Sequence, residues 1–268
     1  MFKLFFKGIV IGVANIMPGV SGGTLAVIMG VYDQLTEAIG NFLIVPLKKK
    51  LEYTKFLAQI GSGMAIGIIL FAKIIEFCFT NYPKSTAGFF SLLIIPSIPY
   101  IIKGEDKSNS RNRLFFTLGA LLTLVFVFLD YRFGSSNGTA QLVKTVTFSY
   151  CIKLFICGSL AAGAMIIPGI SGSLLLLMIG EYYNILGFIS GFFDGLVRIA
   201  GYASIGEIIS NLYVVPLAVF ASGVAIGLVV VAKIINMLLS SKHRSVTLFF
   251  IAGIIVVSVL QIWVNLYK

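Results

Sequence analysis

Residues 18–24 read PGVSGGT and residues 168–173 read PGISGS, so the chain carries two near copies of one short motif, 150 positions apart. Each copy interrupts an apolar run that otherwise has the composition of a helix. Proline removes a backbone donor and glycine adopts conformations closed to other residues, so each motif is expected to open the helix for about one turn. Inside a membrane, unpaired backbone is tolerated only where it faces protein or a wet cavity. The two motifs therefore predict a cavity.

The helix that restarts after each break should direct its first N–H groups, and the positive end of its dipole, into the gap. Such a helix start is suited to an anion. The alternative is a kink with tight glycine packing, which is common in membrane bundles, but two breaks at equivalent positions favour a binding site. The candidate binding residues are Pro18, Gly19, Ser21, Gly22, Gly23, Thr24, Pro168, Gly169, Ser171, Gly172 and Ser173.

The composition sets the class of protein. Of the 268 residues 58% are hydrophobic and 11% are charged, whereas a soluble domain carries about 25% charged residues. We therefore predict an all-α polytopic membrane protein. The single histidine argues against a histidine-based metal site or catalytic triad, and the three cysteines, without CxxC spacing, indicate neither disulfides nor redox chemistry. We expect no metal and no cofactor. The net charge of +10 lies in short loops between apolar runs, which favours membrane topology over binding to nucleic acid.

The apolar segments divide into spans and broken hairpins. A span needs about 20 residues, and the segments that flank each break are slightly short, so we predict re-entrant hairpins there and full crossings elsewhere. The hairpin segments are 2–17, 24–44, 150–167 and 174–193, and the predicted spans are 56–80, 86–102, 114–130, 213–239 and 246–266. This gives one membrane domain over residues 1–268: repeat A (1–103), a connecting loop and transmembrane helix (104–147) and repeat B (148–268).

The duplication extends beyond the breaks. Residues 62–67 (SGMAIG) recur at 222–227 (SGVAIG), and the sequence AKII recurs at 72–75 and 232–235, with an offset of 160 in both cases. The second half therefore carries ten extra residues, which we place in the 194–212 loop. Low complexity alone would not keep register over such distances.

The charges orient the two repeats. If each broken segment enters and leaves on one side, the connecting span inverts the second repeat, and twelve Lys and Arg residues lie on one side against six on the other. If each broken segment crosses once, the split is eight against ten. The positive-inside rule favours the first arrangement. We therefore predict inverted-topology repeats, with a cytoplasmic N-terminus and the C-terminus outside.

Two lysines, Lys73 and Lys233, are equivalent by the repeat and fall within predicted spans. Long lysine stems can reach a nearby interface, but an ionisable group inside a membrane is a functional candidate, so we predict paired phosphate-docking points. Glu76 lies three residues after Lys73, at the spacing of an intrahelical pair. Its counterpart is the uncharged Asn236, and this asymmetry makes Glu76 a candidate coupling group, together with Glu181.

The glycine-rich stretch 8–24, the GVYD segment at 30–33 and the second motif at 168–173 resemble the PopT-type polyprenyl-phosphate transporters, over essentially the whole chain. The resemblance implies a transporter (flippase) in the cytoplasmic membrane of a prokaryote. Its substrate would be undecaprenyl phosphate, the lipid carrier of cell-wall building, returned to the inner leaflet. The resemblance also implies that the serines and glycines of both motifs form the site. The expected partners are this lipid and the bilayer, without nucleic acid.

Two other functions are weighed against this one. Membrane polyprenyl-pyrophosphate phosphatases also have inverted repeats and a similar break, but Gly22 and Gly172 stand where their arginine would be, and their paired glutamates and histidine are missing. Without such groups hydrolysis is poorly supported, so we expect no enzyme activity. A gradient-driven transporter of a small soluble anion would show a similar anion site and stays open. The sequence lacks a nucleotide-binding GxxxxGK[ST] motif.

Overall fold

The structure, a computed structural model, describes residues 2–16, 21–133, 147–198 and 205–264. Within these ranges every regular element is an α-helix, as predicted. The helices are α1 (Phe2–Ile16), α2 (Gly22–Ile28), α3 (Tyr32–Gly40), α4 (Leu47–Asn81), α5 (Pro83–Ile94), α6 (Ser97–Ile101), α7 (Ser110–Phe133), α8 (Phe148–Ile166), α9 (Gly172–Ile179), α10 (Tyr182–Val197), α11 (Ile205–Asn211), α12 (Val214–Leu239) and α13 (Arg244–Val264).

In the part of the chain that the structure describes, five helices are long and apolar enough to cross a membrane: α4, α7, α8, α12 and α13. The predicted span 86–102 is not one continuous helix. It is divided into α5 and α6 at Pro96, which has no N–H to continue the helical ladder. The predicted 194–212 loop contains the end of α10 and the whole of α11, while residues 199–204 lie outside the described ranges.

The apolar segments after the breaks are also divided. Gly30 and Gly180 have φ angles of +65° and +82°, so each stops a short helix and turns the chain. At each glycine two backbone hydrogen bonds close the helix end. The bond of wider span runs from Val31 N–H to the Ala26 carbonyl at 3.0 Å in the first repeat, and from Glu181 N–H to the Leu176 carbonyl at 2.9 Å in the second. This is the Schellman arrangement, which needs a left-handed residue that glycine adopts without strain.

The packing of long helices repeats the duplication of the sequence. Helix α1 lies parallel to α4, and α8 lies parallel to α12, each pair in glycine-mediated contact. In the first pair Gly63 abuts the backbone of Phe5, and in the second pair Gly223 abuts the backbone of Phe155. The two contacts are equivalent by the repeat, because Phe5 corresponds to Phe155 at the offset of 150 and Gly63 to Gly223 at the offset of 160. Small residues let membrane helices approach closely, so the recurring glycines fix the same crossing in both repeats.

Helix α13 forms the centre of the core. Ile254 and Ile255 are fully buried, and α7 packs against α13 where Gly119 meets the backbone of Phe250. The break at the end of α8 lies against the same helix, because a side chain at Gly169 would meet Ile254. The second break is therefore held against the most buried helix of the described residues.

Candidate functional site

The two helix breaks meet inside the protein. The N–H of Gly169 in the second motif donates a hydrogen bond to the side-chain oxygen of Ser21 in the first, over 2.8 Å. A Cβ atom at Gly23 would lie 2.9 Å from the carbonyl oxygen of Ile166 and 3.3 Å from Cα of Pro168, so there is no space for a side chain. Packing thus brings together motif residues that are 148 positions apart.

Ser21 caps the start of α2. Its backbone is extended (φ −98°, ψ 145°), and its side-chain oxygen accepts the N–H of Thr24 at 3.3 Å. The two hydroxyl oxygens of Ser21 and Thr24 are 3.2 Å apart, and Thr24 is buried. A serine at this position satisfies one of the otherwise unpaired N–H groups of the first turn.

The prediction that the first break leaves its N–H groups free is therefore wrong for two residues. Thr24 N–H is bonded to Ser21, and Gly22 N–H donates to the side-chain oxygen of Asn15 at 3.1 Å. Side-chain acceptors in the same hairpin satisfy these donors, so an anion would have to displace them. Pro18 and Gly19, the other predicted residues of this motif, lie outside the described part of the chain.

The second break keeps its hydroxyl groups nearer the surface. The side-chain oxygens of Ser171 and Ser173 are 2.8 Å apart, and Ser173 is exposed. Gly172 is buried, and a Cβ atom there would lie 2.7 Å from Cγ of Met165. Gly169 has a φ of +79°, a left-handed conformation that explains a glycine directly after Pro168.

A cavity of about 280 Å³ lies between α1, α3 and α4 and ends at Gly22 and Gly23. The lining side chains of the described residues are uncharged and mostly aliphatic. The hydroxyl of Tyr32, on this wall, donates to the Ile166 carbonyl at 3.0 Å and so ties α3 to the second break. Such a cavity suits an apolar chain better than a free ion.

Sequence reasoning missed Asn15, which lines this cavity and binds Gly22 N–H. A signal was available in the sequence, because a single asparagine interrupts the apolar face of α1 three residues before Pro18. Its counterpart in the second repeat, Met165, is apolar and lines the same cavity. The two repeats therefore contribute different chemistry to equivalent positions.

Ion pairs flank the breaks. On α3, Asp33 pairs with Arg244 at 2.8 Å, and Glu37 accepts hydrogen bonds from Tyr53 at 2.7 Å and Lys49 at 3.0 Å. Those two donors, with Tyr53 the stronger influence, hold the pKa of the Glu37 carboxyl below its usual range. These contacts join the short helix α3 to the N-terminal part of α4 and to the start of α13.

Glu181, one of the two predicted coupling groups, is buried between α8 and α10. It accepts hydrogen bonds from Lys153, from the Tyr150 hydroxyl at 2.8 Å and from the Asn184 amide at 3.0 Å. It does not line the cavity. The carboxylate accepts hydrogen bonds from side chains on both α8 and α10, and these bonds hold the second hairpin together.

The structure does not bring Lys73, Lys233 or Glu76 to the breaks. All three side chains are exposed, two on α4 and one on α12, and none of them lines the cavity. The predicted intrahelical pair of Lys73 with Glu76 is absent among the described ion pairs. Lys233 has one notable neighbour, since a Cβ atom at Gly40 would lie 2.6 Å from its Cα, so α3 and α12 touch at that point.

The similarity to known proteins extends over nearly the whole chain. Residues 11–267 match the VCA0040-like family model, described as undecaprenyl phosphate translocase-like. The polyprenyl-phosphate transporter of Vibrio cholerae serotype O1 is 29% identical over 271 residues, covering 97% of this chain and 76% of the relative. The polyprenyl-phosphate transporter of Staphylococcus aureus is 28% identical over 267 residues, covering 97% and 85%. No solved structure matches the chain significantly.

Proposed function

Since the chain belongs to the VCA0040-like family of undecaprenyl phosphate translocase-like proteins, we propose that it moves a polyprenyl phosphate across the membrane. Both relatives above are named polyprenyl-phosphate transporters, and neither is named an enzyme. The observation that carries the proposal is the bond between Ser21 and Gly169, which joins two broken hairpins beside an aliphatic cavity. Broken helices that meet at a repeat interface are a recurrent design of transporter sites.

The direction of the helices supports inverted repeats. Asp33 contacts Arg244, which follows the end of α12, and Glu37 contacts Lys49 near the start of α4. These two acidic residues are one helical turn apart, about 6 Å. Helix α12 therefore ends on the side of the protein where α4 begins. Because α1 is parallel to α4 and α8 is parallel to α12, α1 and α8 run in opposite directions.

Contacts within each hairpin support a re-entrant course. The Lys7 ammonium donates to the carbonyl of Met29 at 2.6 Å, and Lys153 pairs with Glu181. In both repeats the end of the short helix after the break thus lies near the N-terminal half of the helix before the break. The basic loops around Lys49 and Arg244 then face the cytoplasm, with the N-terminus inside and the C-terminus outside. The membrane is the cytoplasmic membrane of a prokaryote.

The two halves are not packed equally, which supports alternation between two states. Helix α3 packs along α12, with Gly40 against Lys233. The equivalent helices are α10 and α4, and no comparable packing joins them in the described residues. By the repeat, Gly40 corresponds to Ser190 and Lys233 to Lys73. We infer from this packing a form closed on the proposed cytoplasmic side, and in the mirror-related form α10 would pack along α4.

The phosphate headgroup would bind at the two motifs, through the hydroxyls of Ser21, Thr24, Ser171 and Ser173 and the adjoining backbone. In the form described, Ser21 is committed to Gly169, so binding at the first break requires this bond to open. Lys73 and Lys233 lie on the outer surface, where they would attract a lipid phosphate before it enters. Replacing either by alanine should then weaken capture of the lipid, and unchanged capture would show that these lysines only snorkel.

The lining of the cavity favours a lipid over a small soluble anion. A small anion would need cations or many donors to offset its loss of water, and the described lining residues are uncharged. A polyprenyl phosphate could leave its chain in aliphatic surroundings and expose only the headgroup to polar groups. We therefore propose transport of the lipid, and the direction toward the inner leaflet, for reuse of the carrier, rests on the family resemblance alone. Glu76 and Glu181 stay the proposed coupling groups.

Purified protein in liposomes would test the proposal. Labelled polyprenyl phosphate and polyprenyl pyrophosphate would be supplied separately, and movement across the bilayer and release of phosphate would be followed together. Movement of the monophosphate without release supports the transporter. Release of phosphate would indicate a phosphatase. Neither result, with protein shown to be folded, would overturn lipid transport and leave transport of a soluble anion as the remaining function.

A further inference from the structure

We propose that the cavity between α1, α3 and α4 binds the phosphate-proximal isoprenoid units of the lipid, with the side-chain amide of Asn15 donating a hydrogen bond to the phosphate. This inference rests on the proposed function and names a substrate-binding residue that neither the motif nor the family resemblance identified. Its basis is the orientation of one amide and the chemistry of the wall beside it.

The orientation of the Asn15 amide is set by its neighbour. Its oxygen accepts the N–H of Gly22 at 3.1 Å, so the amide nitrogen, which lies beside Gly22, takes no part in that bond. That nitrogen carries two hydrogens, and among the described residues it has no acceptor. Asn15 is exposed and lines the cavity. Within the described ranges the side chain therefore presents two donors without an acceptor, next to the break.

The amide nitrogen of Asn15 is suited to a ligand that carries hydrogen-bond acceptors. The two breaks meet at Gly23, next to the contact of Asn15 with Gly22, and a polar group without a partner is costly beside an aliphatic wall. A phosphate oxygen is a good acceptor, because hydrogen bonds to a charged group are about twice as strong as those between neutral groups. Water would satisfy the same donors only when the cavity is empty of lipid.

The rest of the wall fits an isoprenoid chain. Behind Asn15 the cavity is bounded by aliphatic side chains from three helices, Ile11, Leu35, Ile39, Leu57 and Ile60. Gly61 and Met165 are exposed and lie on its boundary, so the cavity reaches the protein surface and a long chain can continue into the bilayer. One polar end and one apolar, open end match a headgroup followed by a tail.

The donor belongs to one repeat only. Asn15 corresponds to Met165, which lines the same cavity but cannot donate. A Cβ atom at Gly22 would meet the Asn15 amide at 2.5 Å, and one at Gly172 would meet Met165 at 2.7 Å, so the two side chains occupy equivalent places. Met165→Leu is therefore a matched control that changes the same cavity without touching the donor.

Asn15→Asp separates the two tasks of the residue. A carboxylate still accepts the N–H of Gly22 but offers no donor and repels an anion, whereas Asn15→Leu removes both the donor and the acceptor. Gly61→Phe is a second kind of variant, because open space surrounds the position of its Cβ and the ring would narrow the cavity without a clash. Together these variants distinguish headgroup binding, chain binding and folding.

The experiment measures thermal stabilisation of the detergent-solubilised protein by geranyl phosphate, geraniol and inorganic phosphate, each over a range of concentrations. For the wild type and Met165→Leu we expect geranyl phosphate to bind most tightly. Asn15→Asp should bind it about 10- to 100-fold more weakly, with unchanged response to geraniol and unchanged melting without ligand. Gly61→Phe should weaken the response to both geranyl phosphate and geraniol.

The inference is overturned if Asn15→Asp binds geranyl phosphate like the wild type, or if inorganic phosphate stabilises as well as geranyl phosphate. It is also overturned if Gly61→Phe leaves both prenyl ligands unaffected. These results are separable from failure of the proposed function, because the same preparations are assayed for lipid movement in liposomes. Wild-type protein that moves polyprenyl phosphate while the variants bind normally refutes only the site, whereas wild-type protein that neither binds nor moves the lipid refutes the function.

Discussion

Ser21 accepts a hydrogen bond from the N–H of Gly169, 2.8 Å away, and this bond joins the two copies of the duplicated motif. The same side-chain oxygen caps α2 through the N–H of Thr24. Separating the two hairpins would therefore break a bond to the same oxygen that caps α2. The breaks are coupled to each other by geometry as well as by their shared sequence.

Gly23→Ala is expected to destabilise the protein and abolish lipid movement. The added methyl group would meet the backbone oxygen of Ile166 at 2.9 Å, and backbone cannot move aside as a flexible side chain can. Overpacking of this kind costs about 1–3 kcal/mol. The measurements are thermal unfolding in detergent and transport in liposomes. Gly88→Ala is the control, because its Cβ would meet nothing within 4 Å, and wild-type behaviour of Gly23→Ala would refute the close meeting of the breaks.

Single cysteines at positions 50 and 84 should be labelled from opposite sides of the membrane. Lys50 lies near the start of α4 and Lys84 at the start of α5, beyond the other end of the same long helix. Cys78, Cys151 and Cys157 are first replaced, so that only the introduced thiol reacts. We expect a membrane-impermeant maleimide to label position 50 from the cytoplasm and position 84 from outside. Labelling of both from one side contradicts the topology.

Reversing one charge of the pair between Asp33 and Arg244 is expected to lower the transport rate severalfold with little effect on melting. About half of each side chain is exposed, so the pair adds little to stability. Its effect would instead be to hold α3 on the closed side. The double variant Asp33→Arg with Arg244→Asp should recover most of the rate. Lys50→Asp serves as the control charge change, and absence of recovery in the double variant would exclude a gating role.

A cysteine pair at positions 73 and 190 should cross-link only in the second conformation. The repeat makes this pair equivalent to Gly40 and Lys233, which touch in the structure. In a protein without native cysteines, we expect oxidation by copper phenanthroline to link the pair slowly, and added polyprenyl phosphate to change the rate. A link that forms equally fast under all conditions, or never forms during transport, would contradict the mirror-related state.

Glu37→Gln is expected to lower the melting temperature slightly at neutral pH and not at strongly acidic pH. The hydrogen bonds from Tyr53 and Lys49 favour the carboxylate, so the pKa of Glu37 is lower in the folded protein than in the unfolded chain. A lowered folded pKa means that the stabilisation is complete above the unfolded value, about 4.3, and is lost as the pH falls through the folded value. Thermal unfolding across this range tests it. Glu52→Gln, which removes an exposed carboxylate without an ion pair among the described contacts, is the matched control for the loss of one charge.

Residue patterns alone were sufficient for the class, the duplication and the position of each break. Long apolar segments with few charges are typical of membrane spans. The glycines at 63 and 223 recur in register because they make the same helix contact. The stops at Gly30 and Gly180 could also have been recognised, since glycine commonly ends a helix in this way. The span at 86–102 was misjudged because the composition is apolar throughout while Pro96 divides it.

The sequence by itself determined that this is a helical membrane protein with two equivalent Pro-Gly breaks, because hydrophobicity and repetition are properties of the chain that need no contacts. Only the tertiary structure decided that Ser21 faces Gly169, that Asn15 satisfies one of the N–H groups expected to be free, and that Lys73 and Lys233 lie away from the breaks. The physical reason is that hydrogen-bond partners far apart in the chain are chosen by packing. A local pattern shows which groups need partners, and the fold determines which partners they find.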